Sequence, residues 1–530
     1  QGELIHQPWP LEQAMQPLGD LLTSDTDLLG IQTPLWLCSS GAGILAHGAP
    51  AFGFNQPPPG TRRYDWDISA LQGDFDQRPP FDPGGKGDGR FTIQAPDLAL
   101  DILLAPDLPT LTRQALSRLG VPAALPPEYL FRDPVWTTWA RYKMFISQQT
   151  VLDFAQEIVR HGFPRSVMEI DDVWQHRYGD LFFSPSRFPD PKSMVDTLHD
   201  MGFRVTVWVM PFLQDDSQAF AEAVQAGYLV HTDDGAPLPI RWWQGDGYLL
   251  DVTNPQALDW FARRLRALQE ETGIDGFKFD AGEAVYLPVE GRTHQPLSHR
   301  NEYTRRYVEF VAQFAAQASP PMPVEVRAAW NNQRLPLFVR LWDKSTVWGQ
   351  DNGLQSVIPG LLHLGLTGYP FVLPDMIGGN AYRHEPDAEL LIRWTQLNAL
   401  LPAMQFSLAP WEHGETCTRL CLEAAELHAR MTPRLLQIAE ESLQRGEPFL
   451  RPVWWLAPQD ERALTCFDQF LVGDSLLVAP VVEKGARSRD IFLPPGRWRA
   501  CPDGDIFPGG QVLRAYPAPL DTLPLFERLP

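Results

Sequence analysis

The sequence predicts an α/β protein in which a (β/α)8 TIM barrel stands between an N-terminal β-rich domain and a C-terminal β domain. Three observations predict it. From about residue 130 to 430, short apolar runs of β type are each followed by a helical stretch, the punctuation that builds parallel strands with covering helices. Residues 1–125 are rich in Gly, Pro and short alternating runs. The tail repeats strand-like runs with almost no helical period. The expected domains are therefore 1–125, 126–432 and 433–530.

In the first region, FTIQAP and LALDILLAP read as strands and QRPPFDPGGKGDGR as a loop. The middle region gives SVMEID followed by the helical MVDTLHDMG, and FRVTVWVMP followed by SQAFAEAVQAG. Further strand runs are GFKFD, VEVRAAW and YPFVLPD. The tail offers PFLRPVWWLAP, DSLLVAPVV, RDIFLPPGRW and PLDTLPLFER.

Composition narrows the function. With 530 residues, 44% hydrophobic and 21% charged, the chain suits a large globular core, and no apolar run approaches the ~20 residues of a membrane helix. A formal charge of −21 disfavours nucleic acid as a partner and suits an uncharged small molecule. The 18 Trp, 29 Phe and 51 Pro accompany sugar-stacking clefts and long barrel loops, as well as large cores. The five cysteines, Cys38, Cys417, Cys421, Cys466 and Cys501, include no CxxC pair, which argues against a zinc site or a disulfide framework. Cys417 and Cys421, four apart in a helical stretch, read as packed thiols. The chain starts at Gln1 without an apolar leader, so a periplasmic, secreted or cytoplasmic setting stays open, as does homo-oligomerisation.

In a barrel the chemistry sits at the C-terminal ends of the strands, so acidic residues that close apolar runs are the first candidates. In GFKFDAGE, alternation puts Phe277 and Phe279 on the outer face, Lys278 and Asp280 on the inner, with Gly282 permitting a tight exit. A Lys278–Asp280 ion pair is the plain structural alternative. MEIDDVW sends Glu169 and Asp171 inward and Asp172 the other way, an arrangement ill suited to sharing one metal. His199, His363 and His413 fall on helices and loops, so neither a metal nor an organic cofactor is expected. Arg327, Asp375 and Trp208 complete a mouth of acids, one guanidinium and a flat apolar wall, which suits sugar hydroxyls around an apolar ring face.

From about Trp139 to Arg528 the chain resembles glycoside hydrolase family 31, on EIDDVW, DLFFSPSRFPDPKSMVDTLHDMGFRVTVWVMP, LLDVTNP, FKFDAGE, LIRWTQLNALLPAM and DQFLVGDSLLVAPVVEKGARSRDIFLPPGRW. RAAWNNQRLP, DKSTVWGQDNGLQS and GYPFVLPDMIGGN resemble its myogenesis-regulating glycosidase branch, associated with α-galactosidase activity. The resemblance implies a retaining exo-acting α-glycosidase with Asp280 as nucleophile. It also implies an acid/base five residues before a Trp, which Asp343 satisfies with Trp348, and sixteen after the family arginine, which Arg327 satisfies. Asp351 is the competitor. The resemblance further implies Asp171, Asp251, Arg327 and Asp375 as ring-hydroxyl contacts, with Trp208 a candidate wall; Asp172, Lys278 and Trp342 complete the candidate substrate-binding set, the substrate a small-molecule glycoside or oligosaccharide.

The reading expects Lys278 to keep Asp280 ionised, and negative neighbours with partial desolvation to let Asp343 hold its proton near neutral pH. Two departures argue against a plain α-glucosidase: the family's Arg–x–His segment is replaced by Gln405 and Ser407, and the usual Trp three before the acid/base is Arg340. A sulfoquinovosidase, an α-glucosidase, an α-xylosidase and a catalytically silent sugar-binding protein stand as alternatives.

Overall fold

The structure is a computed structural model that describes residues 2–4, 7, 9–10, 16–24, 28–54, 90–502 and 504–530. Residues 77–89, most of the expected QRPPFDPGGKGDGR loop, lie outside the described residues.

Eight parallel strands form the barrel: β1 (Val135–Thr137), β2 (Val167–Ile170), β3 (Arg204–Val209), β4 (Gly276–Phe279), β5 (Val324–Val326), β6 (Phe338–Arg340), β7 (Val372–Leu373) and β8 (Gln405–Phe406). Apart from Arg204 they are buried throughout, as strands covered on both faces must be. They pair in chain order, and β8 pairs back onto β1 through Gln405 and Val135. Between β7 and β8 no ladder forms, but the Ile377 amide donates to the Gln405 carbonyl at 2.8 Å and draws the gap together.

The outer helices start where polar caps satisfy free amides. Ser147 caps Gln148–Arg160 in a reciprocal box with Thr150, Asp190 caps Pro191–Asp200, and Asn254 caps Pro255–Thr272. Phe277 and Phe279 point outward as the alternation predicts, and both rings meet Phe314 of the helix Asn301–Ala315. At Gly282 (φ 85°) a Cβ would come within 2.2 Å of the Tyr307 ring, so the tight exit from β4 needs glycine.

Two features depart from a regular strand–helix alternation. The helix Gln218–Ala226, read from the sequence as the cover of β3, lies in an excursion that continues through the antiparallel strands Pro239–Trp242 and Gly245–Leu249; only then does Pro255–Thr272 lead to β4. Between β5 and β6 the chain forms no helix. There the buried N-terminal strand Leu28–Gln32 lies against it: Ala329 N donates to Gly30 O at 3.0 Å and Gln32 N to Ala329 O at 3.4 Å. A Cβ on Gly30 would meet the Arg327 carbonyl at 2.5 Å, so only glycine permits this approach.

The opposite edge of Leu28–Gln32 pairs antiparallel with Gly2–Leu4. The strands read in FTIQAP and LALDILLAP form as Phe91–Gln94 and Leu100–Leu104, in two small antiparallel sheets. The long helix Glu415–Arg445 carries the chain out of the barrel, with Cys417 and Cys421 buried side by side, their sulfurs 3.9 Å apart. After it come a six-stranded sheet and a two-stranded sheet, both antiparallel. Among the described residues no helix is long and apolar enough to cross a membrane.

Candidate active site

The carboxyl ends of the strands converge on a dense charge network. Asp280 follows the last ladder residue of β4, anchored by its amide to the Val209 carbonyl at 2.8 Å. Its Oδ2 accepts the Trp208 indole N–H at 2.8 Å. Oδ1 lies 3.3 Å from both Arg327 Nε and Arg340 Nη2. Burial alone would raise this carboxyl's pKa, but the two guanidinia, with Lys278 farther off, outweigh it and hold Asp280 below the usual range. Asp280 is thus a fixed anion with both oxygens oriented.

Lys278 stabilises that anion only at long range. Its ammonium bonds Asp171 at 2.8 Å and Glu169 at 3.0 Å, so the Lys278–Asp280 ion pair of the plain structural alternative does not form, while the lysine still favours the ionised Asp280. The reason is register: alternation directs Lys278 into the layer below Asp280, where β2 supplies Glu169 and Asp171.

Arg340 is the hub. It is 2% exposed, and its fork reaches Asp343 at 2.8 Å, Asp375 at 3.1 Å, Asp280 at 3.3 Å and Glu325 at 3.3 Å. One guanidinium therefore ties together the ends of β4, β5, β6 and β7. Sequence reasoning left Arg340 without a role because a lone arginine in LFVRLW says nothing of three carboxylates brought from other strands.

Asp343 behaves differently from expectation. Burial raises its pKa, but Arg340, Arg327 and the Tyr382 hydroxyl, which donates to Oδ2 at 2.7 Å, outweigh burial and hold it well below the usual carboxylate range. The negative neighbours that would keep its proton are neutralised by Arg340. The carboxyls with raised pKa that Arg340 touches are instead Glu325, which burial and Glu169 push up to about 8, and Asp375, which burial raises to about 6. Asp375 is fully buried, accepts from the Lys344 amide at 2.7 Å and from Asn380 at 2.8 Å, and adopts φ 68°.

Arg327 forms a second clamp. Its Nε bonds Glu283 at 2.7 Å, and its guanidinium lies over Trp342 at 4.5 Å and Trp243 at 5.1 Å. Glu283, Trp243 and Tyr382 were missed; a Tyr or Glu in a loop carries no sequence mark of where its loop will fold. Strained backbone surrounds the mouth: Val173, Ala281 and Asp375, just past β2, β4 and β7, all have positive φ, a costly state for a β-branched valine.

Two predicted contacts are not brought into this network by their bonds. Asp251 spends Oδ1 on Thr253 and Oδ2 on the His294 amide at 2.6 Å, and so ties its own loop. Asp172 accepts from Tyr178 and from Gln244, both at 2.6 Å, joining the β2 exit to the excursion, and burial raises its pKa to about 6. Gln405 approaches Glu169 at 3.4 Å, while Ser407 accepts the Arg141 amide at 3.2 Å.

Residues 123–438 match the glycosyl hydrolases family 31 TIM-barrel domain, and residues 446–529 the C-terminal domain of that family. Myogenesis-regulating glycosidase of Mus musculus is 38% identical over 99% of this chain and 73% of its own length. Alpha-glucosidase 2 of Bacillus thermoamyloliquefaciens is 27% identical, over 74% of this chain and 53% of its length. Among solved structures, the Flavobacterium johnsoniae GH31 dextranase complexed with glucose superposes with a TM-score of 0.78 at 23% identity, covering 97% of this chain and 62% of that one. The cycloalternan-degrading enzyme from Trueperella pyogenes in complex with covalent intermediate gives 0.77 at 20% identity, covering 97% and 75%. The chain thus spans between about half and three quarters of these proteins.

Proposed function

The chain belongs to glycosyl hydrolase family 31 and is a glycoside hydrolase; from that premise we propose a retaining exo-acting α-glycosidase in which Asp280 is the nucleophile, Asp343 the acid/base and an α-galactoside the preferred substrate. The observation that carries the reading is that Arg340 holds Asp280 and Asp343 on one guanidinium at the mouth of the barrel. A retaining pair needs one carboxylate ionised to attack the anomeric carbon and a second carboxyl to protonate the departing oxygen. Asp280 has the first property through Trp208, Arg327 and Arg340. In the second step Asp343, as carboxylate, takes a proton from the water that releases the sugar from Asp280.

The first step needs Asp343 protonated, and Arg340 with Tyr382 favour its ionised form, so turnover is weighted toward acidic pH. An uncharged sugar is favoured over a sulfonated one at Arg340, whose guanidinium is already engaged by four carboxylates and offers no open fork to a sulfonate. The galactoside preference draws on the DKSTVW and LPDMIGGN segments and on Ser407 in place of the glucosidase-type histidine. Asp280→Ala tests the assignment: the folded variant loses turnover of an activated aryl α-glycoside and regains part of it with azide, which enters the space of the lost carboxylate. Substantial activity without azide would remove Asp280 from the role.

A further inference from the structure

Building on the reading of Asp343 as acid/base, we infer that Glu3, from the N-terminal strand, is a positioning residue for that acid. The backbone that carries Asp343 belongs to no strand or helix, so its polar groups depend on side chains for partners. Asn352 Nδ2 donates to the Asp343 carbonyl at 2.7 Å, and the Lys344 amide donates to Asp375 at 2.7 Å. On the other side, Glu3 Oε1 accepts the Trp342 amide at 2.8 Å and the Lys344 ammonium at 3.3 Å. Lys344 also donates to Asn352 at 3.1 Å, so Glu3 touches both the residue before Asp343 and the network that holds its carbonyl.

Glu3 and Lys344 have fully buried side chains, and Glu3 is set in place by Gly2–Leu4 pairing with Leu28–Gln32. The other Glu3 oxygen, Oε2, is buried without a partner among the described residues, a costly arrangement that the fold sustains. Removing the carboxylate leaves the Trp342 N–H with a weaker acceptor and the Lys344 ammonium uncompensated. The loop then relaxes, and the Asp343 carboxyl loses its alignment with the leaving oxygen. Proton transfer suffers first, since a positioned general acid contributes about 10²–10⁴-fold when the leaving group is poor and little when it is good.

The test compares a methyl and a dinitrophenyl α-glycoside of one sugar. Glu3→Gln is expected to lower kcat/KM for the methyl glycoside at least about tenfold and that for the dinitrophenyl glycoside less than about threefold, a partial loss of the acid's contribution. Lys344→Met reads the same pair from its other end and gives the same pattern, and the double variant is no worse than the poorer single, because the two act as one unit. Equal losses on both substrates, an unchanged methyl glycoside, or multiplying losses in the double variant overturn the inference. Asp343→Ala is the reference: if it lacks leaving-group dependence the acid/base reading fails, whereas dependence there without dependence in Glu3→Gln defeats only the role of Glu3.

Discussion

Tyr382→Phe isolates what holds Asp343 ionised. The hydroxyl donates to Asp343 Oδ2 at 2.7 Å, while the ring meets Trp139 at 6.3 Å and the Lys143 ammonium at 5.2 Å. Phenylalanine keeps the ring and deletes the donor. A hydrogen bond to a charged group contributes about 1.5–3 kcal/mol, and 1.36 kcal/mol corresponds to one pH unit, so the deletion raises the Asp343 pKa by about one to two units. Asp343 is 21% exposed, which places the expected shift at the lower end, about one unit. The sign follows from the role: hydrolysis of a poor leaving group needs the protonated acid, so the alkaline limb of kcat/KM moves to higher pH. The assay is the pH profile for a methyl α-glycoside, with the dinitrophenyl glycoside as the control whose limb stays in place. An unmoved limb, or one that moves to lower pH, refutes the argument that this hydroxyl tunes the acid.

Asp343→Ala should slow methyl glycosides far more than dinitrophenyl glycosides, whereas Asp351→Asn should show no such dependence; the reverse pattern transfers the acid/base role to Asp351. Lys278→Met leaves Glu169 and Asp171 buried and uncompensated, a loss of about 3–5 kcal/mol, and in a chain of 530 residues calorimetry should show melting lowered by roughly 3–5 °C. An unchanged melting temperature would mean those carboxyls neutralise at little cost. Nitrophenyl α-galactoside should be cleaved at least about tenfold better than the α-glucoside, because a buried acceptor left unpaired by the wrong 4-hydroxyl costs about 1–3 kcal/mol. Equal rates, or preference for the glucoside, return the enzyme to the α-glucosidases of its family.

Where a signal is local, the sequence already carries it. FKFDAGE has strict alternation and a glycine exit, and the structure puts its phenylalanines outside, and Lys278 and Asp280 inside. The strands β1, β6 and β8 escaped notice, whereas the equally short β5 and β7 did not, because VEVRAAW alternates and YPFVLP is a continuous apolar run bounded by proline. Pairwise electrostatics was the least legible: Lys278 next-but-one to Asp280 suggests a pair, yet the fold gives Lys278 to β2 and gives Asp280 two arginines that lie 47 and 60 residues away in sequence. The inferred proton on Asp343 failed for the same reason, since it counted neighbouring acids and not the guanidinium between them.

The strand that takes the place of a helix between β5 and β6 also sets an order of events in synthesis. Leu28–Gln32 leaves the ribosome before any strand of the barrel, and Gly2–Leu4 can pair with one edge at once. Its other edge waits for Ala329, nearly 300 residues later, which at about 5–20 residues per second is roughly 15–60 s. During that interval a short apolar strand stands with an open edge, a template for the wrong partner. Yield in a cell therefore depends on how well this edge is shielded while the barrel is still being made. Substitutions that slow elongation between β1 and β5 should lower soluble yield without changing the stability of the finished protein.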